Sequence, residues 1–237
     1  MGGEHDRLTA AEAASVIGWW IEAGVDVAIQ EGPRAWLGEA PARNVQIQDL
    51  PLLQPTQELP STLEAFRDWL MRTSDLPFVP ANARRILPRG LEAAEVMLLA
   101  DMPTSEDVAE DQPIGGAAWE LAQKMLAAIG FTTEQAYVAS LTCSHSPGTR
   151  LAGKDLETCA AIARRHIALA RPKRLLLLGD IPSRALLGKP LAAARGHVHK
   201  IEGVRTVATF HPRWLLERAS DKPRAWTDLL LLMEEEV

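Results

Sequence analysis

Cysteine is scarce in this chain of 237 residues: there are two, Cys143 and Cys159, sixteen positions apart. Two thiols make no disulfide framework and are too few for a cysteine-only metal site, so both are expected to be reduced and partly buried. Long apolar runs are also missing. No stretch approaches the roughly 18 residues of a membrane span. Residues 1–26 lack the basic start and apolar core of a secretory signal, so the expected compartment is the cytoplasm and no membrane contact is expected. A glycine-rich phosphate turn is absent after the first strand-like run, which counts against a doubly wound nucleotide-binding protein. Net positive charge is lacking as well: 25 Lys/Arg against 31 Asp/Glu give −6, which argues against bulk affinity for nucleic acid.

The charge is unevenly spread. From residue 143 to 226 there are sixteen Lys/Arg against six Asp/Glu, whereas residues 1–142 hold nine against twenty-one. A basic C-terminal half can track a phosphate backbone inside an acidic whole, although solvated helix faces would give the same count. With 47% hydrophobic and 24% charged residues, the chain has the profile of an ordinary globular protein. Its length suits one main domain with an appendage.

Residues 8–23 show helical periodicity, with Thr9 as N-cap, Val16, Ile17, Trp20 and Ile21 on one side, and Gly24 as the stop. Residues 30–60 carry five prolines and read as a linker. Ser61 is expected to cap a second helix with Leu63, Phe66, Trp69 and Leu70 on its apolar face. Residues 1–75 are therefore assigned to an N-terminal helical extension and 76–237 to an α/β domain. In the latter, a short apolar run at 95–100 predicts a buried strand, and the runs at 135–141 and 174–179 and the β-branched, alternating run at 204–208 predict three more. Helices are expected from 117 to 129, from 154 to 170 and from Ser183. Residues 104–112 are expected to form an acidic loop, and 188–203 a glycine- and base-rich connection. Strands alternating with helices predict a three-layer αβα sandwich around a four-stranded, mainly parallel sheet.

Ligands of such sheets gather at the carboxyl ends of the strands, here Asp101, Ser140, Gly179 and His211. His211 precedes Pro212, which biases it toward an extended conformation as the chain leaves the last strand.

With these strand ends in order, residues 94–218 resemble the uracil-DNA glycosylase superfamily, and within it family 4. That family shows a GEAPG strand end, an ED pair, a PFVG turn, an Asn-ended strand followed by KCRPP-x-NR, a second cysteine, LG, RG and HPSYLL. The counterparts here are Ala100-Asp101-Met102-Pro103-Thr104, Glu106-Asp107, Pro113-Ile114-Gly115-Gly116, Val138-Ala139-Ser140, residues 143–150, Cys159, Leu178-Gly179, Arg195-Gly196 and His211-Pro212-Arg213-Trp214-Leu215-Leu216. The ordered set, with its sixteen-residue cysteine interval, carries the resemblance; no single motif does.

The resemblance implies a DNA substrate and N-glycosidic hydrolysis, as in base-excision repair. It implies His211 as the donor to the leaving base and Asp101 as the carboxylate that positions water, with Glu106 or Asp107 as alternatives. The base pocket would comprise Ala100, Met102, Pro103, Ile114 and Ser140, with Ala139 in place of Ser140 if the alignment gap moves. DNA contacts would come from Arg150, Arg195, Pro212, Arg213 and Trp214, with Lys154 beside them. A monomer is expected, with the N-terminal helices available to a protein partner.

Two departures stand out. Family 4 holds an iron-sulfur cluster on four cysteines, two of them in an upstream CxxC, but the corresponding region near residues 72–80 has none. No cofactor and no metal are therefore expected, and Cys143 and Cys159 should pack as small apolar residues. His145 is a nearby substitute ligand, but three candidates still lack a fourth. In the pocket, Ile114 replaces the stacking phenylalanine and Ser140 the base-reading Asn. Three readings stay open: a cluster-free glycosylase with altered base preference, a superfamily member that binds DNA or protein without chemistry, and a doubly wound small-molecule binder.

Overall fold

A computed structural model describes residues 59–234, apart from 75, 78, 80–82 and 150. These residues belong to the compact unit Gln57–Val237. The helix expected at 8–23 and the linker up to residue 58 lie outside the described residues, as does Arg150.

The apolar runs form the strands they predict. They are β1 (Val96–Ala100), β2 (Ala136–Ser140), β3 (Arg174–Leu178) and β5 (Val204–Thr209), all parallel. Every residue of β1 is buried, as the centre of a parallel sheet covered on both faces requires. Alternate residues feed two cores. Met97 and Leu99 join Tyr137, Leu175, Leu177 and Ala208 on one face. Val96, Leu98 and Ala100 join Val138, Leu176, Leu178 and Val207 on the other.

The sheet has five strands rather than the expected four, in the order β2-β1-β3-β5-β4. The additional strand β4 (Val198–Ile201) lies within the expected connection and pairs antiparallel with β5. Glu202 and Gly203, with φ of 49° and 81°, make the two-residue turn between them. Positive φ at both positions is the hairpin geometry usually signalled by Asn-Gly, and Glu-Gly signals it poorly. β4 is an edge strand whose outward positions carry Val198 and Lys200, so it lacks the apolar run that marks β1 and β3.

Eight α-helices are described. Helix α1 (Leu63–Arg72) is capped by Thr62, whose hydroxyl accepts from Ala65 N–H at 3.2 Å, rather than by Ser61. It buries Phe66 against His166, ring centroids 4.8 Å apart, on α4 (Gly153–Ala170). The acidic stretch expected as a loop contains α2 (Ser105–Glu110), because Thr104 and Asp107 form a reciprocal capping box. Helix α3 (Gly116–Ala128) covers one face of the sheet, and α5 (Asp180–Leu187) starts three residues before Ser183. Two short helices, α6 (Leu191–Ala194) and α7 (Pro212–Glu217), precede α8 (Lys222–Met233), whose Leu229 and Leu232 complete the second core.

The chain places β2 to one side of β1 and then crosses to β3 on the other. That reversal opens a crevice at the carboxyl ends of β1 and β3, where open α/β sheets bind ligands.

Candidate active site

A cleft of about 780 Å³ lies at this crevice, with Asp101, Gly179, Arg195, Phe210, His211 and Trp214 on its walls. Asp101 directly follows β1, Gly179 ends β3, and His211 follows β5. Three strand ends separated by up to 110 positions in sequence thus converge on one cavity.

His211 is the N-cap of α7, extended at φ −65° and ψ 140° as the following proline demands. Its Nδ1 accepts the Arg213 N–H at 3.1 Å. Burial, aided by the Arg213 charge and opposed by Asp107, pushes the imidazole pKa down to about 4. The ring is therefore neutral near pH 7, and with Nδ1 accepting, the proton is assigned to Nε2. Backbone without a side chain lies beside it: Gly179 adopts φ 101°, a region L-residues avoid, and a Cβ there would sit 3.7 Å from His211 Cβ.

Asp101 is half-buried, and burial raises its pKa, with the Met102 backbone hydrogen bond and the Arg213 charge pulling the other way. A raised carboxylate is a stronger base than an exposed one.

Asp107 serves a different purpose. Fully buried, it accepts from Thr104 N–H (2.7 Å), Thr104 hydroxyl (2.8 Å) and Gly115 N–H (2.6 Å). Arg213 Nη2 donates to both of its oxygens at 2.8 Å. The pair ties α2, the turn before α3 and the His211 loop into one unit, and turns the Arg213 guanidinium inward. Gly116 completes that turn: its φ is 54°, and a Cβ there would meet the Glu106 carboxylate at 2.2 Å.

The other expected residues scatter around this centre. Ala100 is buried in the sheet, and Met102 accepts Ser146 N–H on its sulfur at 3.3 Å. Pro103 is buried, its carbonyl bonded to His145 Nδ1 at 2.9 Å. Ile114 is 1% exposed and packs in the second core rather than on the cleft. Ser140 donates to the Pro113 carbonyl at 3.3 Å and faces a small cavity beside the cysteines. Pro212 is buried as the first residue of α7. Arg195 is held by Asp228 at 2.8 Å, and Trp214 stands 39% exposed in the cleft.

Residues 87–230 match the family model of the uracil DNA glycosylase superfamily, a span that includes every wall of this cleft. The chain belongs to that superfamily. It is 25% identical over 140 residues to the type-4 uracil-DNA glycosylase of Archaeoglobus fulgidus, covering 54% of this chain and 70% of that protein. It is 22% identical over 147 residues to the type-4 uracil-DNA glycosylase of Pyrobaculum aerophilum, covering 57% and 75% respectively.

The residues around Cys143 and Cys159 do not fit a four-thiolate cluster. Both thiols are buried beside Phe66, Leu70 and Ile86, around a space of about 20 Å³, room for roughly one water. Burial raises both thiol pKa values, that of Cys159 to about 12, so neither is a thiolate. Among the described residues no group of three His, Cys, Asp or Glu could hold a metal ion.

Sequence reasoning missed Phe210, Arg218 and the buried carboxylate Asp228, which accepts from both Arg195 and Thr209. Phe210, Trp214 and Arg218 recur every four residues where an extended loop enters a helix, a signal available in the sequence. Asp228 offered none, since an acidic residue near an acidic tail looks solvated.

Proposed function

We propose that the protein is a DNA base-excision glycosylase, hydrolysing the N-glycosidic bond of uracil or a related deaminated base. The observation that carries this reading is the convergence of Asp101 and His211, whose Nδ1 accepts the Arg213 N–H, on one cleft. An extruded nucleotide enters the cleft. As the N1–C1′ bond breaks, its electron pair stays with the base and positive charge grows on the sugar. His211 Nε2–H donates to the base O2, where negative charge accumulates. Asp101 orients a water toward C1′ and accepts its proton as the C1′–O bond forms. The base leaves as an anion and is protonated by solvent. A neutral imidazole suits this task, because it stabilises the anion by hydrogen bonding while keeping its own proton.

A second reading, a superfamily member that binds DNA or protein without chemistry, draws on Ile114 and Ser140. Neither lines the cleft, and neither supplies an aromatic ring or a side-chain amide to a base. Excision assays on single- and double-stranded oligonucleotides containing uracil, hypoxanthine or xanthine separate the two. Cleavage is expected, falling about 10²–10³-fold in His211→Ala and about 10²–10⁴-fold in Asp101→Asn. Cleavage that survives His211→Ala removes His211 from the mechanism. Salt-sensitive DNA binding without cleavage favours the second reading in its DNA-binding form, and no DNA binding at low salt refutes that form together with the glycosylase.

A further inference from the structure

Beside His211 the cleft carries four planar groups in series. The Arg195 guanidinium lies 4.2 Å from the Phe210 ring centroid. The Phe210 and Trp214 rings are parallel within 4°, centroids 6.4 Å apart. The Arg218 guanidinium lies 4.2 Å from the Trp214 centroid. All four residues line the same cleft.

Packing does not account for this series. Neither ring belongs to either hydrophobic core, Phe210 is half-buried and Trp214 is 39% exposed. Yet the series is held in place from outside the cores. Trp214 Nε1–H donates to Asp221 at 2.9 Å. Asp228, 1% exposed, anchors at 2.8 Å the Arg195 that lies over the Phe210 ring, and at 2.7 Å the hydroxyl of Thr209, the residue before Phe210. Each ring carries a guanidinium on one face, Arg195 on Phe210 and Arg218 on Trp214, and the apolar surface that the core leaves uncovered loses little entropy when a flat partner arrives. Among the described residues Arg218 makes no ion pair, so its charge is available to an anion adjoining that partner.

A flat partner with an adjoining anion is a nucleotide. We propose that Phe210 and Trp214 form a stacking platform for an unpaired base neighbouring the excised one, with Arg218 on the adjoining phosphate. The cleft then prefers single-stranded DNA. A base in a duplex must give up its own stacking to reach the platform, whereas a single strand has little to lose, and stacking on aromatic faces accepts any base. The proposal rests on the DNA-glycosylase reading for its choice of nucleic acid, but binding tests it apart from excision.

The experiment uses the full chain and undamaged, labelled oligonucleotides, single-stranded and duplex, one carrying 2-aminopurine, whose fluorescence falls when it stacks. Tighter binding to the single strand and quenching of 2-aminopurine are expected. Phe210→Leu and Trp214→Leu should each weaken single-strand binding about 5- to 150-fold and abolish the quenching, while Trp214→Phe restores much of both. Arg218→Gln should keep the quenching and flatten the salt dependence. Unchanged 2-aminopurine fluorescence with saturating wild-type protein overturns the platform, a result that needs no variant to fold. So does single-strand binding by both leucine variants within about twofold of wild type. Stacking without excision would leave the platform standing and defeat the glycosylase reading; excision without stacking would do the reverse.

Discussion

Replacing Arg213 by methionine should damage the fold more than it damages DNA binding. Arg213 sits in the first turn of α7, directly after His211, where a basic residue is expected to meet phosphate, yet its guanidinium bonds both oxygens of Asp107 at 2.8 Å. Removing one partner of a buried ion pair costs about 3–5 kcal/mol, because the other charge stays buried without compensation. Two observations reduce that figure here. The Arg213 side chain is 29% exposed, so solvent already screens part of the pair. Asp107 also keeps its bonds from Thr104 and Gly115. A loss of about 2–3 kcal/mol remains. For a domain of this size that corresponds to a Tm lowered by about 4–12 °C. Thermal and urea melts of the full chain, followed by circular dichroism, measure it. The double variant Arg213→Met with Asp107→Asn should lose less than the sum of the single changes, since the two residues share one interaction. At temperatures where Arg213→Met stays folded, the slope of log affinity for DNA against log salt should match wild type. A stability loss below about 0.5 kcal/mol, or a salt slope reduced by about one, would refute the inward assignment and return Arg213 to the phosphate backbone.

The pH profile of excision follows from both groups of the cleft. The His211 ring is neutral above about pH 4, so it should give no step at the ordinary histidine value of 6.5, and the acid limb should reflect protonation of Asp101, whose carboxyl burial holds above its ordinary value, together with that of His211. A rate that titrates with an apparent pKa near 6.5, and loses that step in His211→Gln, would mean that the ring is more solvated than its burial here indicates. Gly90→Ala tests the approach of residues 85–90 to β2. With φ at 122°, an added Cβ would lie 2.5 Å from the Ala136 carbonyl oxygen and 2.7 Å from Tyr137 Cα, both backbone atoms of the strand. A loss of about 3 kcal/mol or more is expected in urea unfolding, and a variant as stable as its parent would show that this segment does not hold β2.

Much of the architecture is legible in the sequence because β1, β2 and β3 are buried on both faces and appear as short apolar runs, while β5 shows as a β-branched run that alternates before it is buried. The missed elements lack that signature. Strand β4 is an edge with polar positions, and α2 depends on a capping box between Thr104 and Asp107 within a stretch that looks like an acidic loop. In the site, Pro212 predicts an extended His211 at a strand end, and that is its conformation. The directions of neighbouring side chains were out of reach. Ile114 is expected in the base pocket but packs into the second core beside Ala118 and Leu126, a direction that motif spacing does not encode.

The sequence by itself determined the four parallel strands, most of the longer helices and their order, and with them the family to which the chain belongs, since periodicity, proline and motif spacing are local properties of the chain. The tertiary structure decided which charges face each other. Asp107 and Arg213 are 106 positions apart, and Arg195 and Asp228 33 apart, and in each pair the buried carboxylate orders a loop of the site. A buried carboxylate must find its donors wherever packing brings them, so its partner, and the side chains left over to meet a ligand, are properties of the fold.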